Sequence, residues 1–248
     1  MLAVAHVHEL DGAVTAALAG VDGLVHIFYD KPATSNIIST MKSQNMFVVP
    51  TLALLASFVG EPLSQDIGLH AQTIRYLPSP LLSSLRSLNV TEEDATSLPA
   101  KMKYAFETVR ALHQSGISIL AGTDSSHYAV KNTAPGVGLH NELWLFVERC
   151  GLTPIDALRS ATSAVADAFG LHDRGRIQPG MLADLLLVKG SPDVDIRSTM
   201  DIAGVWRRGE RLDREAKRLR LEEVDLYAIH PSQLSTLYAA TQVTDSDA

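Results

Sequence analysis

The chain has 248 residues, of which 46% are hydrophobic and 20% are charged, a composition typical of a packed globular protein rather than a disordered one. The formal net charge of −7 gives no reason to expect nucleic acid or an anionic membrane as a partner. Cys150 is the only cysteine, which excludes an intrachain disulfide and favours a reducing compartment. No apolar run approaches the roughly 20 residues that cross a bilayer, and the amino terminus lacks the basic start of a secretory signal. We therefore expect a cytoplasmic protein.

The first fifty residues alternate between strands and helices. The three predicted strands are residues 2–8, 23–28 and 46–52. Between the first two strands, Asp11 is placed to cap a helix over residues 11–18. Between the second and third strands, Thr34 or Ser35 begins a second helix whose apolar residues recur at helical spacing. Pro50 has no amide hydrogen to donate to a neighbouring strand, so regular pairing is expected to end there.

The rest of the chain continues this alternation and then changes. A Ser-, Leu- and Pro-rich segment, residues 55–99, is predicted to be a functional loop or a lid with short helices of its own. Helices are predicted at 100–114, 141–150 and 153–169, a strand from 117 that stops at Asp124, and further strands at 183–188 and 202–207. Thr153 and Pro154 are typical of a helix start. The buried stripe predicted for that helix is Ile155, Leu158, Val165 and Phe169.

Polar residues stand where three of the predicted strands end. His6 and His26 lie near the carboxyl ends of the first two strands, and Asp124 ends the strand that follows Gly116. Strands that alternate with helices form a parallel sheet with outer helices, and right-handed crossovers place these three residues along one rim. In a barrel of parallel strands, polar residues at that rim are where chemistry occurs.

Five stretches of sequence carry a resemblance to a known family. They are Ala3-Val4-Ala5-His6, Val25-His26, Ala121-Gly122-Thr123-Asp124, Leu139-His140-Asn141-Glu142-Leu143 and Pro179-Gly180-Met181-Leu182-Ala183-Asp184-Leu185. In this order and at these spacings they resemble the amidohydrolase superfamily, especially its imidazolonepropionase-like branch, over residues 2–210. The resemblance implies an α/β fold: a partial TIM-type (β/α) barrel, equivalent to strands five to eight of the family barrel, followed by a small β segment.

The resemblance also implies a metal site. In the family, histidines of the fifth and sixth strands bind a divalent metal, commonly zinc, and an eighth-strand aspartate binds the metal or accepts a proton from its water. On this chain His6 and His26 would be metal ligands, and Asp124 a further ligand and the general base. Neutral imidazole suits zinc, which lowers the pKa of its water to about 7. The implied activity is hydrolysis of a C–N bond other than a peptide bond, in a small amide or cyclic amide.

The chain departs from the family pattern at its amino end. A full member has eight barrel strands, with a His-x-His pair on the first strand and commonly a Lys or Glu on the fourth. His6-Val7-His8 is itself such a pair and is an alternative first-strand match, although the segments that follow fit strands five and six better. A half-barrel leaves apolar strand edges unpaired, so we expect a second copy, a partner chain or the rest of a longer protein to cover them.

Other side chains are candidates for the same site. His127 and Tyr128 fall in a loop that would line a pocket, and His140 lies at a helix start; all three are predicted substrate contacts. Glu142 is expected to cap its own helix, and His8 to have a structural or supporting role.

Three regions follow from these assignments: residues 1–172 as the partial barrel, 173–212 as the small β segment and 213–248 as a helical and polar tail. The leading functional prediction is a metal-dependent amidohydrolase acting on a small molecule. One alternative is a catalytically degenerate half-barrel that acts by binding or pairing, or a truncated family member. A further alternative is a decarboxylase or esterase that uses the same metal site.

Overall fold

The protein is described here by a computed structural model, which covers residues 1–59, 61–79, 82, 85, 92–125 and 134–222. The chain divides into two compact units, Met1–Leu212 and Asp213–Ala248. Over the ranges that the structure covers, no helix combines the length and the apolar character needed to span a membrane.

A four-stranded parallel sheet organises the first unit. Its strands are β1 (Val4–His6), β2 (Gly23–Val25), β3 (Phe47–Val49) and β4 (Ser118–Ile119). They lie side by side in chain order, with Val4 opposite Gly23, Gly23 opposite Phe47, and Phe47 opposite Ser118. Because all four strands run in the same direction, their carboxyl ends meet at one edge of the sheet. The parallel sheet predicted from the alternation of strands and helices is confirmed.

Helices connect the first three strands and cover the sheet. They are α1 (Leu10–Leu18) and α2 (Ser35–Ser43), which pack against each other. Thr34 caps α2 by accepting a hydrogen bond from the Ile37 amide, as the sequence predicts. The apolar residues that these helices bury in one core cluster with Leu24 of β2 are Leu10, Ala13, Ala16, Ala17, Ile37 and Met41.

The segment after β3 is largely helical. It contains α3 (Leu52–Val59), α4 (Pro62–Leu69), α5 (Ala71–Tyr76) and α6 (Glu92–Gln114). The prediction that the third strand extends through Leu52 is wrong, because Thr51 turns the backbone at φ 54° and Leu52 begins a helix. α6 begins before the predicted residue 100 and contains Pro99, and it packs on α3 before leading into β4.

Three further helices follow the loop after β4. They are α7 (Val137–Glu148), α8 (Pro154–Ser160) and α9 (Ser163–Ala168). Thr153 caps α8 as predicted: its hydroxyl accepts a hydrogen bond from the Asp156 amide and donates one of 2.7 Å to the Asp156 carboxylate. The single helix predicted over 153–169 is wrong, because the backbone leaves the helical conformation at Thr162.

The buried stripe predicted for that helix is also wrong in part. Ile155 and Phe169 are 46% and 42% exposed, respectively. The break at Thr162 changes the rotational phase between α8 and α9, so one helical period no longer describes both. The buried face consists instead of small residues, namely Ala157, Ser160 and Ala166.

A second sheet is antiparallel and follows the helices. Its strands are β5 (Leu185–Val188), β6 (Ile202–Arg207) and β7 (Glu210–Arg211) in that order, and the 3₁₀ helix Ile196–Met200 lies between β5 and β6 and packs on α7. Arg208 and Gly209 have φ of 51° and 85°, which suits a two-residue hairpin turn. In the second unit, the structure describes α10 (Arg214–Glu222).

Truncation of Leu24 tests whether β2 lies in the core. Its side chain is fully buried in β2, so we expect Leu24→Ala to lower the free energy of unfolding by about 2–5 kcal/mol, through lost burial and the cavity left behind. The matched control, Leu18→Ala on α1, truncates a side chain that is 75% exposed and should change stability by no more than about 0.5 kcal/mol. Urea unfolding measures both variants; equal losses would contradict the burial of β2.

Candidate active site

Side chains from the ends of four parallel strands meet at one edge of the sheet. His6 is the last residue of β1, and His26 immediately follows β2. Thr51 lies shortly after β3, and Asp124 follows β4. The parallel register brings these positions together, although they are far apart in the sequence.

Three imidazole rings form a cluster at this edge. The ring centroids of His6 and His8 are 4.6 Å apart, those of His6 and His26 are 4.5 Å apart, and those of His8 and His26 are 4.8 Å apart. Each ring offers a nitrogen, and these atoms all lie within 4.8 Å of one another. Among the residues that the structure describes, no other group of three potential metal ligands comes this close.

His26 is the buried member of the cluster and contacts two further residues. Its Nδ1 forms a hydrogen bond with the Thr51 hydroxyl, and its Nε2 lies 3.7 Å from Oδ2 of Asp124. Burial, together with the neighbouring His8 and His6 rings, lowers the pKa of His26 to about 4, while Asp124 opposes the shift. The imidazole is therefore neutral at pH 7 and keeps a nitrogen lone pair.

His8 lies closer to the centre of the site than its predicted supporting role suggests. Its ring is nearly as close to His26 as the ring of His6 is. Burial and the neighbouring His6 both lower the pKa of His8, which favours its neutral form. Because alternate residues of an extended chain point the same way, His6 and His8 reach the same side of the sheet edge. His8 is thus a third candidate ligand.

The backbone is left-handed at three of the converging residues. His26, Thr51 and Asp124 have φ of 63°, 54° and 50°, a region that residues other than glycine rarely adopt and that disfavours β-branched Thr51 in particular. Such positions cost about 1–3 kcal/mol each and concentrate at functional sites. The turn at His26 also explains why the strand predicted to reach residue 28 ends at Val25.

Gly122 allows a close approach behind Asp124. The sequence suggests that Gly122 relaxes the backbone where the strand opens into a loop, but its φ is not positive. A Cβ at this position would overlap Cγ1 of Val49 on β3. The glycine therefore lets the chain after β4 pack directly on β3, which fixes the start of the loop that carries Asp124.

Glu142 caps a helix other than its own. The prediction that it caps the helix start around it is wrong, because α7 begins at Val137 and Glu142 lies beyond the first turn. Its side chain is fully buried, and its Oε1 and Oε2 accept hydrogen bonds from the amides of Leu52 (3.0 Å) and Ala53 (2.6 Å) at the start of α3. The sequence signal for such a role is a lone carboxylate followed directly by the apolar run Leu143, Trp144, Leu145 and Phe146.

The charge state of Glu142 reflects two opposing effects. Burial raises the pKa of its carboxyl group to about 8, while hydrogen bonds from the amides of Ala53, Leu52 and Thr51 act in the opposite direction. Burial also raises the pKa of the nearby Cys150 thiol, so this cysteine stays protonated at neutral pH and is a poor nucleophile.

The predicted substrate contacts stay predictions. His127 and Tyr128 lie outside the described residues. His140, on α7, is half-buried, and its Nδ1 lies 3.1 Å from Oγ1 of Thr199 on the 3₁₀ helix. This contact identifies His140 neither as a substrate contact nor as a packing residue.

The donor set fits a divalent metal. Three histidine nitrogens with a carboxylate beside them are the ligand types that zinc binds in catalytic sites. His26 also has the support typical of a metal-binding histidine, because the ring nitrogen at Nδ1 is held by a hydrogen bond to Thr51. The residues present therefore suit the ion that the sequence resemblance implies.

Comparison with known proteins identifies the family. Residues 1–212 match the model of the amidohydrolase family. The chain belongs to the amidohydrolase family. This confirms the family predicted from the five sequence motifs.

Two curated relatives illustrate the similarity. The chain is 27% identical over 199 residues to an imidazolonepropionase of Deinococcus deserti, which covers 76% of this chain and 48% of the relative. It is 26% identical over 211 residues to an ochratoxinase of Aspergillus niger, which covers 83% of this chain and 37% of the relative. This amidohydrolase chain thus spans less than half the length of these two relatives.

Solved structures support the fold. The crystal structure of A. niger ochratoxinase matches with a TM-score of 0.63 and 23% identity, over 85% of this chain and 41% of the other. A putative prolidase from Bifidobacterium longum matches with a TM-score of 0.64 and 23% identity, over 92% of this chain and 52% of the other. The α/β fold with a parallel sheet is therefore shared with structures of the amidohydrolase superfamily.

The buried carboxyl of Glu142 predicts a pH dependence of stability. Its pKa is about 8 in the folded chain and near 4.5 when unfolded, so only the folded state holds the proton between these values. Stability should therefore fall as pH rises through this window, with a slope of up to about 1.4 kcal/mol per pH unit from this group. Glu142→Gln cannot titrate and should lose that part of the slope.

Urea unfolding at a series of pH values measures the slope for the parent, for Glu142→Gln and for a control, Glu148→Gln. Glu148 lies on the same helix, but its carboxylate is 41% exposed and pairs with Arg197 at 3.7 Å. The control should keep the slope of the parent. An unchanged slope in Glu142→Gln would show that this carboxyl group ionises in the folded chain as it does in the unfolded one.

Proposed function

We propose that this chain carries the metal site of a hydrolase that cleaves a C–N bond in a small amide or cyclic amide. The observation that carries the proposal is the meeting of three imidazoles and one carboxylate at the carboxyl ends of parallel strands, in a chain that belongs to the amidohydrolase family. Relatives with the names imidazolonepropionase and ochratoxinase support hydrolysis of a C–N bond. The strand equivalence that we favour makes β1 to β4 the fifth to eighth strands of the family barrel.

His6 and His26 would hold the metal, with His8 as a third nitrogen ligand. The neutral state of His26 at pH 7 suits this role, because a protonated ring has no lone pair to donate. We favour zinc, since imidazole and carboxylate are among its usual ligands. When bound, a metal of this kind supplies Lewis acidity that polarises a carbonyl and lowers the pKa of water to about 7.

Asp124 would move the proton. Its carboxylate lies beside His26 and is 46% exposed, so it reaches both the cluster and the space in front of it. In the proposed reaction it accepts the proton that the attacking water loses and donates it to the departing nitrogen as the C–N bond breaks. His127, Tyr128 and His140 are the proposed substrate contacts.

The sheet edges favour a second candidate function. Within the described strands, β1 pairs only with β2, and β4 pairs only with β3. Such edges recruit further strands, from a second copy, a partner chain or another part of a longer protein. A half-barrel that retains the scaffold and acts by pairing is therefore the alternative, and it predicts that the chain is purified without stoichiometric metal.

His26 is the decisive ligand for metal binding. We expect His26→Ala to lose stoichiometric zinc, because it removes the buried imidazole around which the other two rings gather. His113→Ala, on α6, is the matched control: that ring faces Asp156 at 3.8 Å and should be dispensable for zinc binding. Metal analysis after dialysis against zinc measures both variants. Equal zinc content in His26→Ala and the parent would remove His26 from the site.

A substitution at Asp124 separates metal binding from turnover. Asp124→Asn keeps an oxygen near His26 but cannot accept a proton at neutral pH, so it should retain zinc while kcat falls by about 10²–10⁴-fold. Steady-state hydrolysis by the zinc-loaded protein measures the change. Parent-like turnover in this variant would exclude Asp124 as the general base.

A substrate panel distinguishes the proposed reaction from other chemistry on the same metal. Lactams, N-acyl amino acids, dipeptides and carboxylic esters are incubated with the zinc-loaded chain, and released amine, alcohol or carbon dioxide is measured. We expect release of amine. Turnover confined to esters, or release of carbon dioxide, would favour the esterase or decarboxylase alternative.

A further inference from the structure

Helix α3 begins without the side-chain cap that its sequence offers. Thr51 occupies the capping position, because its carbonyl accepts hydrogen bonds from the amides of Leu54 (3.1 Å) and Leu55 (3.4 Å). A threonine in this position ordinarily turns its hydroxyl to the first amides of its own helix. Here the Thr51 hydroxyl is engaged by Nδ1 of His26 instead.

Glu142 supplies the missing acceptors from across the fold. Its two carboxyl oxygens accept hydrogen bonds from the amides of Leu52 and Ala53, the first two residues of α3. The side chain is fully buried on α7, and this contact joins positions 90 residues apart in the sequence. The Ala53 amide, one of the amides that a capping hydroxyl ordinarily serves, is thereby satisfied.

We propose that Glu142 is a positioning residue for His26: by capping α3 in place of Thr51, it leaves the Thr51 hydroxyl available to fix the His26 ring. The inference rests on the proposed role of His26 as a metal ligand. It adds to that role a residue that touches neither the histidine cluster nor, in our proposal, the substrate.

The consequence for His26 is a fixed ring orientation and a fixed tautomer. Nε2 faces Asp124, so metal binding through Nε2 requires the ring proton on Nδ1, where the Thr51 oxygen accepts it. Without the Glu142 carboxyl, the amides at the start of α3 lose their acceptors inside the core. The Thr51 hydroxyl then turns toward the Ala53 amide of its own helix, and this rotation moves it away from Nδ1.

The connection from Glu142 through the Thr51 hydroxyl to the His26 ring is called the relay. Glu142→Gln is the variant that tests it. Glutamine keeps the volume of the side chain, but its NH₂ nitrogen cannot accept a hydrogen bond, whereas both oxygens of the carboxyl group can, so one of the two α3 amides loses its acceptor. Glu148→Gln makes the same chemical change on the exposed side of α7 and is the matched control. Where Glu142→Gln does not fold, Glu142→Asp replaces it, because aspartate keeps both acceptors at a shorter reach.

Two measurements are made on each variant. The first is the dissociation constant for zinc, obtained by competition with a chromophoric chelator. The second is nitrogen NMR of the metal-free protein labelled in its histidines, which reports the tautomer of each ring; the His26 signal is identified by its absence in His26→Ala. We expect Glu142→Gln to weaken zinc binding about tenfold and to convert His26 from one tautomer to a mixture. Glu148→Gln should match the parent in both measurements.

Thr51 variants test whether the effect passes through its hydroxyl. Thr51→Val removes the hydroxyl at constant shape and should reproduce both changes, whereas Thr51→Ser should behave as the parent. In the Thr51→Val background, Glu142→Gln should weaken zinc binding no further, because the two residues act in series. Independent effects that multiply in the double variant would overturn the proposal.

The outcomes separate this inference from the proposed function. Loss of a defined His26 tautomer in Glu142→Gln supports the relay even in a parent that binds no zinc, a result that would refute the metal site alone. A parent that binds zinc, together with a Glu142→Gln variant of unchanged affinity and unchanged tautomer, would refute the relay and leave the metal site in place.

Discussion

Each strand of the parallel sheet brings one polar side chain to the same edge, and the hydrogen-bonded register between the strands holds those side chains in place. His6, His26, Thr51 and Asp124 meet only because β1 to β4 share one direction. Three of these four residues are held in a left-handed backbone conformation, which ends the regular strand and redirects the side chain within a single residue. The surrounding packing has to stabilise those turns, so the core and the site depend on each other.

The electrostatics of the site favour neutral rings. Three imidazoles within 5 Å of one another repel once protonated, and burial adds a desolvation penalty at His26. The lone pair of His26 is therefore available at neutral pH, and the Asp124 carboxylate lies 3.7 Å from this buried ring. This arrangement gathers polar groups at one edge of the sheet. It suits a cation, whose charge the rings and the carboxylate would stabilise together.

The sequence predicts the parallel sheet and the meeting of His6, His26 and Asp124, because strand composition and strand ends are local features that a linear pattern records. It does not reveal the role of Glu142, whose partners at the start of α3 are set by tertiary packing. Continuous helical periodicity likewise misplaced Phe169, since no sequence signal at Thr162 announces the break between α8 and α9. The features that the sequence does not predict depend on contacts between residues far apart in the chain, rather than on residue types.

The bond between Glu142 and the start of α3 also bears on the order in which the chain assembles. During synthesis, the histidines and Thr51 leave the ribosome long before residue 142, because 90 positions separate Leu52 from its acceptor. Until α7 docks, the first amides of α3 lack that acceptor and compete for the Thr51 hydroxyl. If Glu142 positions His26 as we propose, closure of this long loop is the step that fixes the His26 ring, and a nascent chain would acquire its ordered cluster late, after most of the parallel sheet has been translated.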